Sequence, residues 1–362
     1  MGFQRVVKPK IFVDMLSYLH ATGHSEYFDR NESDYDLSQG QGIVSGNMTD
    51  LLYSNPQSLL KFTLDGGNKT IFQFRDRATD KNYPSIKIDT FALLNHNLKG
   101  TTFRIDGKNN INSILISSTV FHENNINLNV SDGESNDTTY NGFSFGMSTS
   151  KLNLNNVNKL NLFFPTNTTN TGGKFIGSLF LGNSYTFPHN PNLSMTVSKS
   201  FDGIKTSKTK GGHTINNIDH LGNPDWSGHN AWELWDTDET KLNLGRLGRR
   251  SWKLTFDLVS ESDVFGALEQ SNILPFTSTD LYPDDSGDTF TGYDNPLLEE
   301  TNFINNVWIP TLGGTIPMLI QLDDSHNRPD NFAIVTIKQN TLNVTPKAPN
   351  LYSFSMTLEE TW

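Results

Sequence analysis

The chain has 362 residues, and its 39 Asp and Glu outnumber 28 Lys and Arg, for a formal net charge of −11. That balance excludes a protein whose main task is neutralising phosphates, so no specific nucleic-acid binding is expected. The absence of cysteine removes disulfides, thiolate zinc sites, iron–sulfur clusters and cysteine nucleophiles together.

No apolar run approaches the roughly 20 residues of a membrane-spanning helix, and the opening MGFQRVVKPK lacks an apolar signal core. No membrane span and synthesis in the cytosol are therefore expected. Only 19% of residues are charged while mean hydropathy is −0.47, so neutral side chains carry the polarity. Asn, Ser and Thr make up roughly 30% of the chain, well above an average share. Aromatics at 11%, with 24 Phe, exclude a disordered chain, which is poor in such residues. Short apolar runs separated by Asn, Gly, Ser, Asp and Pro predict a mainly-β protein.

In chain order, residues 10–21 (KIFVDMLSYLHA) fit either a three-turn helix or an extended arm. The polar stretch 24–46 reads as a long loop. Residues 58–64 and 70–75 flank Asp65-Gly66-Gly67 and predict a hairpin. Further strands are expected at 85–94, 101–105, 113–121, 126–131, 142–147, 159–164 and 174–181. That spacing suits a sandwich or barrel. A second unit starts near Asn192 with a strand at 193–198. Trp252, Leu254, Phe256 and Leu258 alternate on one strand face. Ser260-Glu-Ser-Asp263 reads as the capped start of a short helix carrying Val264, Phe265 and Leu268. Asn295-Pro296 reads as a second helix start, with Leu297, Ile304 and Trp308 on one side. Strands at 332–338 and 351–358 close the chain. The expected organisation is an N-terminal arm (1–46), a jelly-roll β-sandwich (47–191) and a second β domain (192–362) with a long loop at 203–248.

Three constellations could carry chemistry. The first runs from Gly211-Gly212-His213 through His220, Asp225, Trp226, His229, Trp232, Trp235 and Asp236. Indole faces there could stack on sugar rings, or the aromatics could anchor a Gly/Asn-rich loop to its own domain or to a neighbouring subunit. The histidine spacing matches no metal-ligand pattern. The second, Asp280 to Asp288, clusters carboxylates without the calcium-loop spacing. The third is a sparse basic stretch of Lys199, Lys205, Lys208 and Lys210, followed by Arg246, Arg249 and Arg250. It reads as a solvated surface or as the match for an acidic face on a neighbour. No nucleophile elbow, Walker loop, dinucleotide fingerprint or His-Glu-x-x-His occurs, so no catalytic residue, cofactor or metal is expected.

The segments IKIDTFALLNHNL (86–98) and TTFRI (101–105) resemble a strand and turn of galactose-binding-like jelly rolls in tailed-bacteriophage virion proteins. GRLGRRSWKLTF (245–256), TLGGTIP (311–317) and APNLYSFSMTLEETW (348–362) are similar to phage tail and baseplate structural proteins. The resemblance implies β-sandwich domains, location in the virion tail, and assembly in several copies with other tail proteins. It also suggests contact with host-surface glycan. The expected function is thus a non-enzymatic tail-tip or baseplate component. In that reading the arm and the 211–240 loop make subunit contacts, with Trp226, Trp232 and Trp235 as anchors. A carbohydrate-binding adhesin using the same tryptophans with Asp225 or Asp236 is the alternative. A glycan-degrading enzyme with paired carboxylates is a third reading.

Overall fold

A computed structural model describes residues 6–23, 25–27, 43–64, 69–76, 87–101, 103–108, 114–117, 141–153, 159–164, 173–201, 204–218, 225–226, 229–230, 248–265, 301–325 and 331–362. The first elements are β1 (Lys10–Asp14), α1 (Met15–Ala21), β2 (Ser25–Tyr27), β3 (Ile43–Ser45), β4 (Leu60–Thr63), β5 (Lys69–Asp76) and β6 (Lys87–His96). Then come β7 (Arg104–Lys108), β8 (Ile114–Ser117), β9 (Gly142–Asn153), β10 (Lys159–Phe164) and β11 (Gly173–Thr186). The middle of the chain adds β12 (Thr196–Ser200), β13 (Ile204–Lys208), β14 (Thr214–Ile218), β15 (Asp225–Trp226) and β16 (His229–Asn230). The last part holds β17 (Arg249–Ser260), α2 (Glu261–Val264), β18 (Met318–Gln321), β19 (Phe332–Ile337), β20 (Val344–Ala348) and β21 (Leu351–Glu360). A π-helical turn (Ile304–Trp308) precedes β18. The fold is mainly β.

Among the described residues, twelve strands form one antiparallel sheet. Its spine runs β12–β17–β21–β19–β18–β1–β11. Beyond β11 it continues through β6 to β9, while β4 pairs along the first part of β11 and β3 pairs with β4, and β20 pairs with β21. The sheet therefore joins strands from both expected units, and the link is β1. Lys10 to Asp14 pair with Thr186 to Gly182 on one side, and Lys10 to Phe12 pair with Gln321 to Leu319 on the other. Residues 10–21 are neither one helix nor an outstretched arm: the stretch is a central strand followed by a helix. Asp14 makes the break by capping α1, accepting the amide N–H groups of Leu16 (3.1 Å) and Ser17 (3.3 Å).

The central strands of the large sheet are buried on both faces. On β1, Ile11 and Val13 enter one core while Phe12 enters the other. In that second core Phe12 meets Phe145 edge-on at 5.1 Å and stacks on Phe332 at 6.3 Å. The first core holds Phe187 stacked on Phe256 at 4.2 Å, with Phe354 5.4 Å from Phe256 and Phe303 4.8 Å from Phe354. A second sheet, ordered β2–β5–β10–β7–β8, packs at the β4–β6 end. Phe164 of β10 meets Phe62 of β4 at 5.3 Å, and Phe103 lies between Phe91 and Phe164. Each such ring removes about 150–250 Å² from water, so these contacts hold the layers together.

The expected hairpin at 58–75 is not one. β4 pairs with β11 and β3 of the large sheet, whereas β5 pairs with β10 and β2 of the other. Consecutive strands therefore cross between layers. On β17, Trp252, Leu254 and Phe256 point inward as expected, but Leu258 is exposed with φ +59°. A bulge between Phe256 and Val259 places Val259 in the core instead. Ser260 caps α2 through the Asp263 N–H, and Val264 is buried. Leu268, Asn295-Pro296, Leu297 and the expected strand at 126–131 lie outside the described residues. Strands β19 and β21 lie where they were expected.

Gly314 shows how tightly the end of this core is packed. Its φ is +85°, and a Cβ there would stand 2.3 Å from the Ile337 Cβ. Gly314→Ala is expected to cost about 2–3 kcal/mol, from overpacking and left-handed strain together. Urea unfolding checks it: the midpoint falls with the m-value unchanged.

Candidate interaction surface

Among the described residues a two-stranded ribbon, β13–β14, is exposed to solvent. It runs in register from Ile204↔Ile218 to Lys208↔Thr214. The 203–248 region was expected to be loop, yet 204–218 is a β-hairpin. Its turn is built from Thr209-Lys-Gly-Gly-His213. The Gly212 N–H donates to the Thr209 carbonyl at 2.9 Å, and Gly212 takes φ +81°. The Thr209 N–H donates to the His213 carbonyl, and the His213 N–H donates to Thr209 Oγ1 at 3.1 Å. Across the strands Thr206 Oγ1 donates to Asn216 Oδ1 at 2.9 Å.

Every residue from 204 to 217 is exposed, including Ile204 at 45% and Ile215 at 49%. Paired residues share a ribbon face, so Ile204 lies on the Thr206/Asn216 face and Ile215 on the Lys205/Ser207 face. Just before the ribbon comes β12, the edge strand of the large sheet, exposed throughout. It carries Val197 and Lys199 and leads to Phe201, 45% exposed. At the other end of β12, Asn192 donates through Nδ2 to the Asp257 carboxylate. Leu193 and Leu258, the next residues along each segment, are 84% and 60% exposed. Among the described residues, the surface from 193 to 217 thus combines the edge strand of the large sheet, an exposed ribbon and exposed apolar side chains. Hydrophobic periodicity does not mark it, because Thr, Ser, Asn and Lys fill most positions on both faces of its strands.

The tryptophan cluster divides. Trp226 is buried in the second core, edge-on to Phe143 at 6.3 Å. It offers no indole face to a sugar or a partner. Of the two readings of that segment, anchoring to its own chain holds for Trp226. His229 pairs with Trp226 and Asp225 with Asn230 in the short β15–β16 ladder. His213 sits at the ribbon turn. Trp232, Trp235, Asp236, His220, Arg246 and the Asp280–Asp288 cluster lie outside the described residues. The basic stretch also divides: Lys199 is on the sheet edge, while Lys205, Lys208 and Lys210 are on the ribbon. Arg249 lies 3.7 Å from Glu359 and 4.6 Å above the Trp362 ring. Arg250 is in the core, where it grips Glu360 at 2.7 Å.

The buried carboxylates among the described residues all have structural partners. Asp14 caps α1. Asp89 accepts the Ser184 N–H at 2.8 Å and the hydroxyls of Ser184 and Thr90. Glu261 accepts the Tyr352 hydroxyl at 3.1 Å. Glu360 is taken by Arg250. A cavity of about 520 Å³ opens beside the π-helical turn, lined chiefly by Phe265, Trp308, Ile309 and Leu342 with Asn340 and Thr341. Among the described residues its lining holds no titratable side chain. Among the described residues no group of three or more potential metal ligands converges, and no helix is long and apolar enough to cross a membrane. In comparisons with protein-family models, with characterised proteins and with solved structures, nothing matches this chain.

Proposed function

We propose that this chain is a non-enzymatic structural subunit of a larger assembly, a component of the tail or baseplate of a tailed bacteriophage. The observation that carries the reading is the exposed ribbon that follows β12, which is the edge of the large sheet among the described residues. A lone two-stranded hairpin is marginally stable in water, and an unpaired edge is a template for another chain. Both features acquire a purpose when a neighbour covers them. The frame behind them suits a mechanical part: a broad sheet whose central strands are buried on both faces, with its terminal strand β21 paired to β17, β19 and β20. Commitment of the buried carboxylates to caps and pairs supports a docking role over turnover. The resemblance of residues 86–105, 245–256, 311–317 and 348–362 to virion proteins supplies the phage tail as the setting. Other tail proteins and further copies of the chain are the partners in this reading. The adhesin alternative loses Trp226 from its sugar platform.

Mass spectrometry and cryo-electron microscopy of purified particles test the proposal. The expected result is a stoichiometric tail component whose 193–217 surface lies against a neighbouring subunit. Absence from purified particles overturns it, as does a tail position with that whole surface in solvent.

A further inference from the structure

The ribbon differs in charge from the chain that carries it. Residues 204–218 hold Lys205, Lys208 and Lys210 and no carboxylate, so the remainder of the chain carries a formal −14 against −11 for the whole. We infer that the ribbon's partner is a second copy of this chain, and that the 204–218 hairpin docks head to tail against the acidic surface of that copy. The inference rests on the assembly reading above and adds the identity of the occupant.

Four observations support it. One sequence holds both halves of the attraction, a basic projection and a strongly acidic remainder, so identical copies complement each other without a further protein. The ribbon is exposed from 204 to 217 and spans roughly 17 Å over its five paired positions, enough to reach a neighbour. An isoleucine lies on each face, at 45% and 49% exposure. A partner lying flat against one face would leave the other isoleucine in water, whereas a cleft covers both. The glycine-closed turn keeps the two strands in register before docking, which lowers the ordering cost of binding. The contact joins two different patches, so it is heterologous and closes into a ring or extends as a filament.

The test is sedimentation equilibrium with multi-angle light scattering on the purified full chain, at about 50 mM and about 1 M salt, conditions that shorten the Debye length from over 10 Å to about 3 Å. The expected result is an oligomer at low salt that dissociates at high salt. Lys208→Glu/Lys210→Glu should raise the apparent dissociation constant at least about tenfold. The thermal midpoint of that variant should match the parent, because the lysines lie on exposed structure. Ile204→Ser/Ile215→Ser should weaken association at the low salt concentration. A parent chain that stays monomeric at both overturns the inference, as does an oligomer that neither variant perturbs. A monomeric chain that is still found in purified tails removes self-docking and leaves the structural role standing. An oligomer that both variants disrupt, from a protein absent from particles, removes the tail setting and leaves self-docking standing.

Discussion

Glu360→Gln is expected to destabilise the chain by about 3–5 kcal/mol, the cost of leaving a buried guanidinium without its counter-charge. The geometry sets that size. Arg250 donates from Nη2 to Glu360 Oε1 at 2.7 Å and from Nε to Oε2 at 3.1 Å, a bidentate fork. The Arg250 backbone N–H also donates to Oε2 at 3.0 Å, and a second bond from Nη2 reaches the Phe332 carbonyl at 3.1 Å. The group therefore ties β17, β21 and β19 together, with the guanidinium 5.1 Å from the Trp252 ring. Arg250→Met should cost a similar amount by stranding the carboxylate. The double variant Arg250→Met/Glu360→Leu should cost less than either single change, because apolar replacement of a whole buried pair is often close to neutral. A residual cost of about 1–3 kcal/mol is expected from the Arg250 N–H and Phe332 carbonyl left without partners. Urea unfolding of the four proteins closes the cycle. Additive losses would overturn the pairing argument.

How much of this was legible in the sequence depended on whether neighbouring residues carried the signal. β17 and β21 face the core on one side, so Trp252/Leu254/Phe256 and Phe354/Met356/Leu358 alternate and were readable. β1 has no alternation, because Ile11 and Val13 feed one core and Phe12 the other. An apolar run of that kind does not distinguish helix from strand. Leu258 carries no mark of a bulge, since leucine has no preference for φ +59°. The Asp65-Gly66-Gly67 signal marks a reversal between 58–64 and 70–75. It does not say whether the next strand pairs back or crosses to the facing sheet. That choice is made by partners far along the chain, β11 for β4 and β10 for β5.

The candidate surface was harder still to read. Clustered tryptophans drew attention to 226–235, but Trp226 is claimed by Phe143, 83 positions away. The ribbon was read as loop because Thr, Ser, Asn and Lys face water on both sides, which removes the apolar period. Its usable signals were Lys210-Gly211-Gly212 between β-branched runs and the lack of any carboxylate over 204–218. Arg250 shows the reverse error: a charge counted with the basic surface turns out to be held in the core, because its carboxylate partner is 110 positions away.

The pH dependence of stability should be governed by two buried groups that pull in opposite directions. Burial pushes the Asp14 carboxyl up to about 7, against the lowering effect of the Ser17 hydroxyl and of N–H donors from Ser17, Leu16 and Leu181. Burial pushes His96 down to about 3, against the raising effect of the Phe143 backbone. The His96 ring accepts the Leu98 N–H on Nδ1 at 3.2 Å, so its proton is on Nε2, 3.0 Å from Ser144 Oγ. For Asp14 the folded pKa lies above the unfolded one, near 3.8. Its stabilising contribution is complete below about pH 4 and is lost as pH rises towards 7. For His96 the folded pKa lies below the unfolded one, near 6.5. Its contribution is complete above about pH 6.5 and is lost as pH falls towards 3. Displacements of that size are each worth about 4–5 kcal/mol over their full range. Between about pH 4 and 6.5 the two slopes offset, so the parent chain should show a plateau with an acid-side fall below it. Asp14→Asn keeps a cap acceptor and removes the charge, so its stability should climb across that window by several kcal/mol. His96→Gln keeps hydrogen-bonding groups and removes the titration, so its stability should fall with rising pH over the same range. Urea midpoints measured from pH 4 to 7 decide the matter through their slopes, whatever either substitution costs at a single pH. If both variants keep the slope of the parent, neither buried group controls acid stability.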